Sequence, residues 1–147
     1  MPTYKLSFSN VTLNKIKKEK IAKIITKVHN EITGANTYFA QVIFKKSKKN
    51  DHFIGGKIIK EKQFFLHGQI RAGRSSSVKK KLITTLRDQI IELTKVKKEN
   101  LWIYILDLKP EQMIEYGEIL PEAGSEKKWF RKLPKSLKIK LRKLENH

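Results

Sequence analysis

Two successive stretches of this chain follow one plan, strand then amphipathic helix then strand, and a chain that repeats such a unit is confined to layered folds of helix on sheet. In the first stretch Thr3 to Phe8 (TYKLSF) alternates, with Tyr4, Leu6 and Phe8 on one face. Asn14 caps a helix from Lys15 to Thr33. Its apolar residues Ile16, Ile21, Ile24, Ile25, Val28 and Ile32 fall largely at three- and four-residue spacing, and Gly34 stops it. Tyr38 to Lys45 (YFAQVIFK), rich in aromatic and branched residues, is the second strand. A basic turn leads to His52 to Ile59, where Gly55 and Gly56 predict a bulge or a ribbon crossing between the halves.

The second stretch has a strand Gln63 to Ile70, a turn at Gly73 and N-caps at Ser75 to Ser77. A helix then runs to near Val96 with the stripe Leu82, Ile83, Leu86, Ile90 and Leu93, and Leu101 to Asp107 (LWIYILD) closes the unit as a strand. Right-handed crossovers between parallel strands put both helices on the same side. The expected fold is therefore α/β (α+β): two tandem β-α-β units in one chain, forming a four-stranded sheet with two helices on one face. The other face stays bare unless another subunit covers it, so an oligomer is expected. Residues 1–130 are expected to form a single domain whose units span about 1–60 and 61–130, with Pro110 to Phe130 as a short helix or turn followed by an arm. Residues 131–147 (RKLPKSLKIKLRKLENH) are expected to be a basic, weakly amphipathic C-terminal tail, partly ordered at best.

Composition limits the function classes. The 147 residues hold no apolar run of membrane-spanning length and no signal segment ahead of the first strand, so a cytoplasmic protein with no membrane partner is expected. The absence of cysteine excludes disulfides and thiolate metal sites, and the four histidines are scattered, so no metal is expected. Lys and Arg total 33 against 14 Asp and Glu, a net charge of +19. Such a surface attracts polyanions, and weak nonspecific nucleic-acid binding is the expectation. The charge is dispersed along solvated faces rather than gathered into a motif, and no zinc pattern, aromatic RNA-binding motif or Gly-rich phosphate loop accompanies it.

Pro2 directly follows Met1, and a small second residue is what methionine aminopeptidases require. Removal of Met1 leaves a secondary amine whose ordinary pKa, near 8, is within reach of neutrality. Nearby cations lower it toward a general base; nearby carboxylates raise it toward a general acid. Arg71 and Arg74 flank a glycine in RAGR, at a turn from strand end to helix start, and two guanidinium forks there suit a small carboxylate. His29 lies beside the apolar stripe of its helix and Tyr104 within an apolar strand, both ordinary packing positions. Glu115 stands in MIEYG among other carboxylates, Glu111, Glu118 and Glu122.

In order, Pro2 at the first strand, KVHNEITG with His29, FAQVIF, FIGG, HGQIRAGRSSSVK, LWIYILDL and PEQMIEYGEILP up to Trp129-Phe130 resemble the tautomerase superfamily. The resemblance is to its fused-chain branch, typified by cis-3-chloroacrylic acid dehalogenase. It implies a homotrimer and a cofactor-independent enzyme. Pro2, as a protonated amine, would protonate the carbon next to a substrate carboxylate. Arg71, Arg74 and His29 would hold that carboxylate, and Glu115, helped by Tyr104, would activate a water. The implied reactions are hydration or hydrolytic dehalogenation of small unsaturated carboxylates and tautomerisation of keto acids. The competing readings are decarboxylation of a β-keto acid at the same site, and a non-catalytic polyanion-binding protein on this fold.

Overall fold

The computed structural model describes residues 2–145. Removal of Met1 and the last two residues of the tail lie outside the described residues. Strand β1 (Thr3–Ser9) alternates as its sequence requires, with Tyr4 and Leu6 fully buried and Phe8 nearly so. Asn14 accepts a bond from the Lys17 N–H at 2.8 Å to open α1 (Lys15–Thr33), and Gly34 closes it in the left-handed region at φ 72°. Strand β2 (Gln41–Lys46) lies parallel to β1. After a short hairpin of β3 (Phe53–Ile54) and β4 (Lys57–Ile58), β5 (Gln63–Arg71) runs antiparallel to β1. Ser75 caps α2 (Ser76–Thr94), and β6 (Leu101–Leu108) pairs parallel with β5. The strand order is β2-β1-β5-β6, two β-α-β units joined through an antiparallel centre.

Both helices cover one face. Tyr4, Leu6, Phe8, Phe64, Leu66 and Ile70 from the sheet interlock with Ile21, Ile25 and Val28 of α1 and Leu82, Leu86 and Ile90 of α2. Each such side chain contributes about 1.5–3 kcal/mol by leaving water. The opposite face keeps Ile43, Trp102, Tyr104 and Leu106 exposed. No helix among the described residues is long and apolar enough to cross a membrane.

The structure departs from the expectations in several places. Ile16 is outside the core, 63% exposed, because at five residues before Ile21 it falls on the opposite side of α1 from Ile21, Ile25 and Val28. Tyr38 and Phe39 do not begin a strand. They form a 3-10 turn (Thr37–Phe39) whose aromatic rings pack against Tyr116, Trp129 and Phe130 instead of against the sheet. Gly55 and Gly56 are the two left-handed residues of a tight hairpin turn, not a bulge. The segment after Pro110 contains a matching hairpin, β7 (Ile114–Glu115) and β8 (Glu118–Ile119), turned by Tyr116 and Gly117 with the same positive φ. Both units thus end in a two-residue-turn hairpin.

The tail as far as Glu145 is ordered, contrary to the expectation. Helix α3 (Glu126–Lys132), Leu133 directly after it and α4 (Lys135–Glu145) bring Trp129, Leu133, Leu137 and Leu141 into a second apolar cluster with Tyr38, Phe39 and Leu120, and Leu141 is fully buried. Leu137 and Leu141, four residues apart on one side of α4, with Leu133 just ahead of the helix, seat it despite its surrounding lysines.

Candidate active site

One end of the sheet assembles most of the candidate residues. Thr3 is paired with Gln41 at the start of β2 and with Gln69 near the end of β5, while Arg71, the last residue of β5, is paired with Leu108, the last of β6. Pro2, one step before Thr3, therefore lies at the edge where β5 ends; it is buried, and its carbonyl accepts the Gln41 N–H at 2.9 Å.

His29 is 1% exposed and reaches this end from α1. Its Nδ1 lies 2.8 Å from the Tyr4 hydroxyl, the rings meeting edge to face at 5.7 Å. Burial, then the charge of Arg74, lowers the imidazole pKa to about 3, so the ring is neutral at every physiological pH. With the Tyr4 O–H donating to Nδ1, the ring proton sits on Nε2, which is buried and has no partner. Gly68 makes this arrangement fit: a Cβ there would lie 2.6 Å from Cε1 of Tyr4.

Arg71 is 4% exposed. Its NH1 donates to the Pro121 carbonyl at 2.9 Å and its NH2 to Oε1 of Glu126 at 2.5 Å, while its Nε is buried without a partner. Gly73, at φ 112°, turns the chain so that NH1 of Arg74 donates back to the Arg71 carbonyl at 2.6 Å; Nε of Arg74 is likewise buried and unpartnered. Burial and the neighbouring Arg71 charge lower the Arg74 pKa, and the charges of Tyr4, Asp107 and Glu126 oppose that shift. Leaving buried N–H groups unbonded costs on the order of 1–3 kcal/mol each. Three such donors, on His29, Arg71 and Arg74, belong to residues gathered at this end of the sheet.

Glu115 stands on the second hairpin and lines a cleft of about 460 Å³ with Thr3, Gln41, Leu108, Met113 and Tyr116. The cleft opens beside the residues that precede and pair with this end of the sheet, although His29, Arg71 and Arg74 are not among its lining residues. Tyr104 is not brought to this end. It is 54% exposed on the open sheet face, packed edge to face on Phe65, in a separate groove with Trp102 and Phe53. Among the described residues no group of three or more His, Asp or Glu is arranged to hold a metal ion.

Sequence reasoning missed Tyr4, which the alternation of β1 assigns simply to the core, and Glu126, whose only local signal is a position in the first turn of α3. It also missed the contact of the Tyr116 hydroxyl with the Tyr38 carbonyl, which ties the second hairpin to the first unit.

Comparison with known proteins bears on the family and the fold. The family described as "Putative oxalocrotonate tautomerase enzyme" matches residues 1–133. The crystal structure of N1, a member of the cis-3-chloroacrylic acid dehalogenase family, is 30% identical with a TM-score of 0.91, covering 96% of this chain and 99% of that one. The chain belongs to the tautomerase superfamily, in the branch similar to cis-3-chloroacrylic acid dehalogenase. More distant structures share the fold. Pt0534 inactivated by 2-oxo-3-pentynoate is 17% identical with a TM-score of 0.73, covering 82% of this chain and 97% of that one. A fused 4-OT asymmetric trimer is 16% identical with a TM-score of 0.72, covering 80% and 94% respectively. Curated proteins give no match.

Proposed function

We propose that the chain, once it begins at Pro2, is a cofactor-independent enzyme that adds water to small unsaturated monocarboxylates, with hydrolytic dehalogenation when a halide is present, and also tautomerises keto acids. The observation that carries this reading is the set of buried, unpartnered donors on His29, Arg71 and Arg74 beside the start of β1. Those donors hold the substrate carboxylate and draw electron density toward it. Glu115 takes a proton from water, whose oxygen attacks the far alkene carbon. The electron pair moves toward the carboxylate, and the Pro2 ammonium delivers a proton to the adjacent carbon. With a halide on the attacked carbon, the adduct loses halide and a proton to give an aldehyde.

Trimer formation belongs to the same reading. The open face with Ile43, Trp102, Tyr104 and Leu106 is the surface that subunits would cover. Tyr104 and Glu115 share no cleft within one chain, so Tyr104 assists Glu115 only across a subunit boundary.

The test compares an acetylenic or haloacrylic acid with an enol-keto acid. Arg71→Ala impairs both reactions, because both depend on the held carboxylate. Glu115→Gln removes hydration and spares much of the tautomerisation, which needs only proton transfer at Pro2. Equal loss of both reactions in Glu115→Gln contradicts the assigned division of roles.

A further inference from the structure

Arg71 is clamped on one edge before any ligand arrives. Pro121 holds NH1 and Glu126 holds NH2, and the two partners come from the segment that leads into α3 and from its first turn. Glu126 is itself anchored. Burial would raise its carboxyl pKa, but the Arg71 bond and the backbone N–H groups of Glu126 and Gly124 outweigh burial and hold it below the usual carboxylate range. It is a fixed carboxylate, and the bond it makes leaves the buried Nε edge of Arg71 as the unpartnered one.

We propose that Glu126 is the specificity-determining residue of the carboxylate cradle: it fixes the Arg71 fork and cancels one of the two guanidinium charges, so that the site accepts a monoanion and discriminates against dianions. This rests on the carboxylate-binding reading above. Arg71 and Arg74 supply two positive charges, and His29 is neutral. Asp107, whose charge also reaches Arg74, is paired with Lys79 at 2.7 Å, leaving Glu126 as the carboxylate bonded directly to the Arg71 guanidinium. On this reading the Pro2 ammonium and the Glu115 carboxylate offset each other, so one net positive charge remains for the ligand. Pairing is direct and shielded, since Arg71 is 5% and Glu126 29% exposed as side chains, so solvent screens it incompletely.

The experiment is calorimetric binding of acrylate and of maleate, a mono- and a dicarboxylate, to the full-length protein and its Glu126 variants. Glu126→Gln keeps an oxygen acceptor for NH2 but removes the charge. It is expected to raise acrylate affinity and to raise maleate affinity further, because the dianion carries twice the charge, shifting the maleate-to-acrylate affinity ratio toward maleate on the order of tenfold. Glu126→Ala removes both, and weakens acrylate binding relative to Glu126→Gln because the fork is no longer held. An unchanged ratio in Glu126→Gln overturns the proposal while leaving the cradle itself intact. If the wild-type protein binds neither anion, the carboxylate-binding reading fails and takes this inference with it.

Discussion

The Tyr4 hydroxyl and Nδ1 of His29 lie 2.8 Å apart with both side chains buried, so a strand residue fixes the tautomer of a helix residue across the layer between them. The imidazole is neutral, and its pKa near 3 sits below the ordinary 6.5 because burial and Arg74 disfavour the charged form. The unfolded chain therefore binds more protons than the native state between pH 6.5 and about 3. Stability present above pH 6.5 is lost as pH falls through this window, at up to about 1.4 kcal/mol per pH unit from this residue. Denaturation midpoints should drop across that range, and His29→Gln should flatten the slope; an unaltered slope would show that His29 does not supply it.

Gly68 gives the Tyr4 ring its space. Gly68→Ala sets a methyl group 2.6 Å from Cε1 of Tyr4, and the ring is confined by the core around it. The expected cost is roughly 1–3 kcal/mol in urea denaturation, with binding of a small carboxylate weakened because His29 loses its alignment. Wild-type stability in this variant would mean that the ring moves freely, and that His29 is not held through it.

The C-terminal helix is a structural part of the molecule. Leu141 is fully buried in the second cluster, whereas Ile139, on the same helix, is 46% exposed. Leu141→Ala should cost about 2–5 kcal/mol. Ile139→Ala should change stability by no more than about 0.5 kcal/mol. Equal effects of the two substitutions would contradict the packing of α4.

On the trimer reading, Leu106 is half exposed in one chain and covered in the assembly. Leu106→Lys should therefore shift sedimentation from trimer to monomer while leaving helical circular dichroism unchanged. A wild-type monomer at micromolar concentration would contradict the covered-face argument.

Much of the fold is legible in the sequence because it is periodic. The alternation of Tyr4, Leu6 and Phe8 and the stripe Leu82, Leu86 and Ile90 state the buried faces directly, and Asn14, Gly34 and Ser75 mark helix ends where the structure has them. The second hairpin was not legible, since its strands are two residues long and Tyr116 is an unusual turn residue. Lysines mask the pair Leu137 and Leu141 that seats the tail helix. Arg71 and Arg74 stand out by their position around a glycine, but the partners that orient them do not: Glu126 is 55 residues from Arg71, and no local pattern encodes an ion pair at that separation. Tyr104 is readable as a strand residue and not as a site residue, because its use depends on what covers the open face.

The central claim is that the Pro2 amine transfers the proton while the cradle holds a carboxylate. Its most direct test is turnover of an enol-keto acid and an acetylenic carboxylate by two forms of the protein, one beginning at Pro2 and one retaining Met1, in which the proline nitrogen is an amide without basicity. The account predicts activity in the first form and none in the second, with binding of acrylate detectable in the first. Equal turnover by the Met1-retaining form would contradict it and leave the relationship to tautomerases as one of fold alone.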